Sequence, residues 1–335
     1  MWQVRPLGIG DLAAVEALLQ HNTLRLSTLP IARDKLAANI EAARRGFEGN
    51  DTLASLLFGL YDNDGTLQGL SGIQPYAGGD EPFYSYRIDE LVHASRRLGI
   101  NQRQKVLYLS HELTGLTSLC SFALSAELRA TPVFHLLSRS RLLYIATHRH
   151  AFADELICEI QGIWDDSGQS LFWKSVGELF FGLDFITADE QCALLGKTVI
   201  AELLPPYPIY NTLLPEQVQG VIAQSHPGTA RTTQWLLDEG MYKTRFVDPF
   251  DAGPTYRGEL ALLTSMKAIR MVDSVQAASP DPEVDGDWLV SQGEGVDFSC
   301  AMLRGRLQDG ILYSTDRASI LADTPGLALS LGAPQ

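Results

Sequence analysis

The sequence has few of the features that mark secreted, disulfide-linked or membrane-embedded proteins. Its four cysteines lie far apart, at Cys120, Cys158, Cys192 and Cys300. Three of them sit in apolar runs, which indicates buried thiols rather than disulfides or zinc-binding pairs. No apolar run reaches the roughly 18 residues of a membrane-spanning helix, and the N-terminus has no basic region before an apolar stretch. We therefore expect a cytoplasmic protein that binds no metal.

Positive charge is also scarce. The chain has 26 Lys and Arg against 40 Asp and Glu, which gives a formal net charge of -14 at pH 7. Such a surface repels nucleic acids and anionic membranes, so neither is an expected partner. An anionic ligand would need a local concentration of positive charge. The length of 335 residues favours two domains over one.

The order of predicted elements indicates an α+β protein with a mixed sheet flanked by helices. A strand and two helices come first, and Asn63-Asp64-Gly65 between two apolar runs predicts a hairpin. Further predicted segments are the strands "KVLYLSHEL" and "TSLCSFALS", paired through a turn near Thr114, helices over 135–150 and 170–181, and strands "LICEIQGIWD" and "KTVIAELLP". This is the element order of the acyl-CoA N-acyltransferase (GNAT-like) fold.

The pattern changes after residue 256. Short apolar runs alternate with Gly, Pro and Asp, and "ASPDPEVDGD" predicts a loop. We therefore predict an acyl-CoA N-acyltransferase-like domain over 1–256 and a small β-rich C-terminal subdomain over 257–335.

One strand-to-helix junction lacks glycine. It reads Ala130-Thr131-Pro132-Val133-Phe134. Junctions that hold a phosphate usually contain glycines, because a side chain blocks the approach of backbone N–H groups to the anion. Pro132 removes a donor, and we expect Phe134 to crowd the space of a pyrophosphate. The junction predicts either a changed pose of a phosphorylated ligand or a loss of its affinity.

Many ordered segments resemble the arginine N-succinyltransferase family. They run from about residue 82 to 255 and include "FYSYR", "LVHASRRL", "LTGLTSLCSF", "LLSRSRLLYIATHRHAFAD", "EIQGIWDDSGQSLFW", "GKTVIAELLPPYPIY", "SHPGTA" and "VDPFDAGPT". The resemblance implies transfer of succinyl from succinyl-CoA to the α-amino group of arginine, or of ornithine, in arginine catabolism. It implies no permanently bound cofactor. Because some bacteria have alpha and beta subunits, it also implies a homo- or hetero-oligomer, and the irregular junction favours an alpha-type subunit.

The resemblance assigns His226, in "SHPGT", as the proton donor. A histidine suits this role because its reference pKa near 6.5 lets it exchange protons at neutral pH. From the residues alone, the alternative is that His226 caps the helix predicted to end near Ala223.

The resemblance also assigns Phe122 to succinyl-CoA binding, although an apolar residue there is equally a core residue. Ser138, Arg139 and Arg141 supply donors and charge along the start of the next helix, and we count them as cofactor-binding candidates.

Recognition of arginine needs acids for the guanidinium and a cation or N–H groups for the carboxylate. The candidates are Glu112, Asp89 and Glu90 for the guanidinium, and Arg87 and Arg96 for the carboxylate. His93 and Ser95 belong to a family motif and complete the substrate-binding set. For each of them, a structural or solvated polar role is the alternative.

Three functions therefore compete. The first is an active succinyltransferase that works by direct attack in a ternary complex. The second is a non-catalytic or assisting alpha subunit of a two-subunit enzyme, and the third is an acyltransferase with another amine or acyl group. The apolar run over 179–186 fits either an interface or a core.

Overall fold

The computed structural model describes residues 1–21, 29, 32–195, 198–278, 286–316 and 324–332. The strands are β1 Gln3–Pro6, β2 Leu56–Tyr61, β3 Leu67–Gln74, β4 Ser85–Ser95, β5 Ile100–Ser110, β6 Thr117–Leu124, β7 Glu155–Glu159, β8 Ile209–Tyr210, β9 Tyr242–Val247, β10 Pro254–Glu259, β11 Arg270–Val272, β12 Ser274–Ala277, β13 Gly286–Gln292, β14 Ser299–Gln308, β15 Ile311–Ser314 and β16 Gly326–Ser330. The helices are α1 Leu12–His21, α2 Arg33–Phe47, α3 Val133–Thr147, α4 Leu171–Ser175, α5 Gly177–Phe181, α6 Phe185–Leu195, α7 Thr198–Leu203, α8 Glu216–Val221, α9 Ala230–Asp238 and α10 Thr264–Ala268.

The chain forms two compact units, each made of separated segments. The first unit comprises Met1–Pro75, Cys120–Ala153 and Leu260–Gln335, and the second comprises Tyr76–Leu119 and Asp154–Glu259. The C-terminal segment thus belongs to the same unit as the N-terminal one. The predicted division into 1–256 and 257–335 stays a prediction, and these compact units divide the chain differently.

The first unit contains strands in the order β11-β16-β13-β14-β1-β2-β3, and β3 lies beside β6. Helix α3 is buried around most of its circumference, as a central helix is. Its Tyr144 packs edge-on against Phe58 and Phe298, with ring centroids 5.2 and 5.0 Å away. These aromatic contacts lie among the buried residues of this unit.

The second unit contains strands in the order β7-β10-β9-β4-β5-β8, and the first residues of β6 pair with β7. The β6–β7 pairing is parallel and joins Thr117 to Leu156 and Ser118 to Ile157. The other pairs in this unit are antiparallel among the described residues. One face is covered by short helices whose Phe172 and Trp173 pack with Tyr86.

The β4–β5 hairpin is longer than the strands on either side of it, β9 and β8. Its two strands pair over their full eleven residues, from Ser85–Ser110 to Ser95–Ile100. Only Tyr86 and Arg87 of β4 pair with β9, and only Val106 and Leu107 of β5 pair with β8. The distal half of the hairpin therefore extends beyond the strands on either side of it.

The predicted α+β class, with a mixed sheet flanked by helices, is confirmed, and so is the hairpin at Asn63-Asp64-Gly65. Strands β2 and β3 pair across this turn, and Gly65 has a φ of 78°. Asp62 Oδ1 accepts the backbone N–H groups of Asp64 and Thr66. These residues therefore form the predicted turn between the two strands.

Two element predictions were wrong. The segment "KTVIAELLP", predicted as a strand, contains helix α7, because Ile200 and Leu204 bury one face at helical spacing. The strands β5 and β6 do not form a pair, since β5 pairs with β4 and β8. Strand β4 escaped prediction because its distal half has no buried alternating face: apolar Val92 and Ala94 are exposed there, as is His93.

Candidate functional site

His226 lies at a turn of the second unit, where hydrogen bonds fix both its backbone and its ring. Its N–H donates to the Gln161 carbonyl at 2.8 Å, and its Nδ1 accepts the Gly228 N–H at 3.1 Å. Its ring centroid is 5.9 Å from that of Trp164. Because Nδ1 is an acceptor, the proton of the neutral ring sits on Nε2, which is the nitrogen left for a substrate. His226 caps the 3-10 turn that follows it rather than the preceding helix, which ends at Val221.

Asp251 connects the segments around this histidine. Its Oδ2 accepts the Gly162 N–H at 2.7 Å and the Trp164 indole N–H at 3.4 Å, and its Oδ1 accepts the Gly253 N–H at 2.8 Å. The carboxyl therefore anchors the loop whose Trp164 ring lies beside His226. Burial raises the pKa of Asp251 to about 7, and the nearby Asp248 carboxylate adds to this rise, against the effect of the three N–H donors.

Close backbone approach makes this arrangement possible. A Cβ at Gly162 would lie 2.3 Å from the Asp251 carbonyl oxygen, and one at Gly253 would lie 2.1 Å from the Ile160 carbonyl oxygen. Both glycines are required because the 160–162 and 251–253 segments touch at these points. The sequence offered "EIQGIW" and "VDPFDAGPT" as matching motifs but gave no sign that they meet. The structure thereby adds Asp251 and Trp164 to the candidate site.

Three of the candidates for arginine recognition form an ion-pair cluster with each other. Arg87 donates its Nε–H to Asp89 at 2.8 Å and pairs with Glu112, while Arg245 donates to Asp89 at 3.0 Å. The bonds to Asp89 and Glu112 raise the pKa of Arg87. Since each acid already has a guanidinium partner within the chain, an incoming arginine would have to displace it.

The other two substrate candidates lie elsewhere on the hairpin. His93 is exposed, and its ring is 5.8 Å from that of Tyr210, while the Ser95 hydroxyl accepts the Leu98 N–H at 3.4 Å. Six residues of strand separate Arg87 from His93, a distance of about 20 Å. A single amino acid cannot contact both of these positions at once, and the assignment of Arg87, Glu112, His93 and Ser95 to substrate binding stays a prediction. Glu90 pairs with Arg103 at 3.3 Å, and Arg96 is exposed.

The cofactor-binding candidates lie in the first unit, around α3. Phe122 is half-buried between the Phe134 ring, 5.4 Å away, and the Arg141 guanidinium, 5.4 Å from its centroid. Arg141 is only 2% exposed and donates to the carbonyls of Ser138 and Gly72. Ser138 is fully buried, whereas Arg139 is half-buried. Arg141 and Ser138 therefore face the interior, one to two turns beyond the helix start at Val133.

The glycine-free junction is closely packed. Phe134 is 1% exposed and packs on Phe122, and the expectation that its ring crowds a phosphate stays a prediction. The Phe134 and His135 N–H groups already donate to Thr131 and Pro132. Arg129, just before the junction in sequence, donates its Nε–H to the Leu124 carbonyl, and burial lowers its pKa. The start of α3 therefore offers a ligand few backbone donors.

Strand β6, which leads to this junction, carries a backbone irregularity. Ser121 has a φ of 51°, in the left-handed region that side chains rarely adopt. A Cβ at Gly72 on β3 would lie 3.1 Å from Ser121 Cβ, so the two strands approach closely here. Strained positions that the surroundings hold in place are frequent at ligand sites.

Two further findings concern metal binding and membrane spans. Among the described residues, no group of three or more His, Cys, Asp or Glu side chains is placed to hold a metal ion. None of the described helices combines the length and the apolar character needed to cross a bilayer.

Comparison with known proteins gives a consistent picture. A family described as arginine N-succinyltransferase beta subunit matches residues 2–265. The chain is 36% identical over 307 residues to arginine N-succinyltransferase subunit alpha of Pseudomonas aeruginosa, covering 90% of each protein. It is 39% identical over 258 residues to subunit beta of the same organism, covering 76% of each.

A solved structure matches along the whole chain. The arginine/ornithine succinyltransferase subunit AI from Pseudomonas aeruginosa superposes with a TM-score of 0.88 at 32% identity, covering 99% of both chains. The similarity to both alpha and beta subunits does not separate these two types.

Proposed function

Because the chain belongs to the arginine N-succinyltransferase family, we propose that it transfers the succinyl group of succinyl-CoA to the α-amino group of arginine. This reaction would serve arginine catabolism, and ornithine is the alternative acceptor. The observation that carries the proposal is the His226 ring, whose Nδ1 is bound by the Gly228 N–H and whose Nε2 is left for a substrate.

The proposed reaction is a direct acyl transfer. The arginine amine, in its unprotonated form, attacks the thioester carbonyl, the new C–N bond forms, and the C–S bond breaks. The amine loses a proton and the departing CoA thiolate gains one, so protons balance without a covalent enzyme intermediate. His226 is the proposed donor to the thiolate. For this step the ring is the imidazolium, with Nδ1 protonated and its bond to the Gly228 N–H released, so that loss of the Nε2 proton leaves a neutral ring. Backbone N–H groups of a sheet strand are the proposed stabilisers of the developing oxyanion.

The candidates for succinyl-CoA binding lie in the first unit. Phe122 lies on β6 between Phe134 and Arg141, so its backbone is held in place by packing. We assign Ser138 and Arg141 to positioning of β6 and α3, since both are buried, and Arg139 to an outer contact with CoA. An apolar residue at position 122 would be sufficient for this role.

The alternative is an assisting alpha subunit that needs a related beta subunit. It is favoured by the start of α3, where backbone donors are already engaged. The two arrangements differ in a simple assay of purified chain with succinyl-CoA and arginine, following release of the CoA thiol. Full turnover by the chain alone would contradict the assisting role. Turnover only after addition of a beta-type relative would contradict independent activity.

The direct mechanism is tested by omitting arginine. A ternary-complex reaction releases no stoichiometric burst of CoA without the amine, whereas an acyl-enzyme would. We expect no burst, and observation of one would rule out direct attack.

The role of His226 is tested by His226→Ala. Loss of the proton donor is expected to lower kcat by about 10²–10⁴-fold, with little change in the dissociation constant of succinyl-CoA. His21→Ala, which replaces an exposed histidine of α1, is the matched control. Unchanged kcat in a folded His226→Ala protein would remove this residue from the chemistry.

A further inference from the structure

A cavity of about 230 Å³ lies in the second unit beside the segment that leads to His226. Its apolar walls include Ile88, Leu107 and Ile222, and its polar lining includes Lys105, Lys243 and Asn211. The volume is below the roughly 300–1,000 Å³ of pockets for drug-sized ligands. It suits a small fragment with one polar end.

Two exposed lysines line this cavity without acidic partners. In the described part of the chain, no carboxylate lies within ion-pair distance of Lys105 or Lys243. Glu90 is directly opposite Lys105 across the hairpin, but its carboxylate pairs with Arg103. In a protein with a net charge of -14, two such cations form a local positive site.

The position of Lys243 favours an anionic ligand. Its Nζ donates to the Ala223 carbonyl, which lies at the cavity wall. Partial burial lowers the pKa of Lys243, because the charged form loses hydration there. An anion in the cavity would return the lost stabilisation through a charge-assisted hydrogen bond.

Asn211 supplies a second, independent observation. Asn211 lines the cavity, and its Oδ1, which is closed off from solvent, accepts no hydrogen bond from the described protein. A buried polar atom without a partner is costly, so such an atom commonly awaits a ligand or water. A half-turn of the amide would instead present its NH2 group to a carboxylate.

The cavity wall is joined to the proposed active-site turn by short chain segments. Ala223, three residues before His226, has a φ of 60°, and its N–H donates to the Ala252 carbonyl at 2.8 Å. Ala252 follows Asp251, the carboxyl that anchors the Trp164 loop. The same backbone therefore shapes the cavity and places the histidine.

We propose that this cavity binds a carboxylate of one of the two substrates, held by Lys105 and Lys243 and oriented by the Asn211 amide. The inference rests on the proposed function and adds a specificity site to it. Two sources offer this group: the free carboxylate of the succinyl moiety and the α-carboxylate of the amino acid.

The experiment measures dissociation constants by calorimetry for matched ligand pairs. Succinyl-CoA is compared with acetyl-CoA, which lacks the carboxylate, and arginine is compared with agmatine, its decarboxylated analogue. The variants are Lys243→Met and Lys105→Met, which keep the length of the side chain. Lys267→Met, at an exposed lysine of α10 outside the cavity, is the control.

Each source predicts a separate result. If the cavity holds the succinyl carboxylate, Lys243→Met raises the dissociation constant of succinyl-CoA by roughly tenfold or more and leaves that of acetyl-CoA unchanged. If the cavity holds the amino-acid carboxylate, the same variant raises the dissociation constant of arginine by a similar factor and leaves that of agmatine unchanged. The inference would be overturned if Lys243→Met weakened the binding of both members of each pair equally, or weakened none of them. It would also be overturned if free CoA lost as much affinity as succinyl-CoA, because that result indicates a contact with a phosphate.

Failure of the proposed function is distinguishable from failure of this inference. If the wild-type chain binds none of the four ligands, the proposed function fails. The cavity is then tested with succinate itself against succinamide. Tighter binding of succinate, lost in Lys243→Met, would still support a carboxylate site, and no difference between the two probes would overturn it.

Discussion

At the residue scale, single polar groups decide how the candidate site is held. Asp251 binds three N–H donors with both of its carboxyl oxygens. The sequence could not distinguish this aspartate from the other acids of an acidic protein, because its role depends on partners 89 and 87 residues away in the chain. By contrast, the chemistry of histidine and the family resemblance were enough to single out His226.

Asp251→Asn is expected to lower the free energy of unfolding by about 1–3 kcal/mol, because its NH2 group must face an N–H donor. The raised pKa of Asp251 also gives the loss a pH dependence. A carboxyl whose folded pKa exceeds its unfolded value stabilises the protein below the unfolded value, and this contribution is lost as the pH rises through the folded pKa.

The deficit of Asp251→Asn should therefore be largest near pH 4 and shrink as the pH rises to about 7. Urea unfolding across this range measures it. Asp64→Asn, at the exposed turn of the β2–β3 hairpin, is the control. A deficit that grows with pH would contradict the raised pKa.

At the element scale, contacts between segments explain where local patterns succeeded and failed. The β2–β3 hairpin was predictable because its turn residues set the backbone locally. Helix α7 was missed because β-branched and apolar residues in a short run fit a strand as well as a buried helix face. Strand β4 was missed because partner strands, rather than its own hydrophobic pattern, specify its distal half.

Gly162→Ala tests the contact between the Gln161 and Asp251 segments. The added Cβ would meet the Asp251 carbonyl at 2.3 Å, so the backbones must separate. We expect destabilisation by about 1–3 kcal/mol and a lower kcat, since the Trp164 loop moves with it. The measurements are thermal unfolding and thiol release.

Gly220→Ala is the matched control for this variant. Position 220 lies in α8 with no atom within 4 Å of an added Cβ, so alanine should be neutral or stabilising there. If both variants have the same stability as wild type, the proposed close contact is incorrect.

Phe134→Ala tests the glycine-free junction. Because this ring is buried against Phe122, its removal is expected to cost about 3–5 kcal/mol without tightening succinyl-CoA binding. Chemical unfolding and calorimetric titration give the two readings. Phe180→Ala, at a half-exposed ring of α5, serves as the control with little expected effect. Tighter binding of succinyl-CoA would show that Phe134 does obstruct the ligand.

At the scale of the whole molecule, the negative net charge of the chain disfavours association with the proposed acyl donor. Succinyl-CoA is an anion, and the chain carries a net charge of -14. Long-range repulsion slows association when screening is weak, and local cations such as Lys243 act only at short range.

The association rate constant for succinyl-CoA should therefore rise a few-fold as ionic strength increases from about 0.01 to about 0.15 M, where the Debye length falls from about 30 to about 8 Å. Stopped-flow tryptophan fluorescence measures this rate. Titration with an uncharged osmolyte at matched viscosity is the control. A rate that falls with salt would show that local positive charge dominates the encounter.

The sequence by itself determined the family, the α+β class, the main helices and the His226 candidate. These follow from local periodicity, turn chemistry and ordered motifs, which a one-dimensional pattern contains. Only the tertiary structure decided that Arg141 is buried, that Arg87 pairs with Asp89 and Glu112, and that Asp251 anchors the loop beside His226. Those outcomes depend on which distant segments come together and exclude water, because burial and pairing set the chemistry of a charged group.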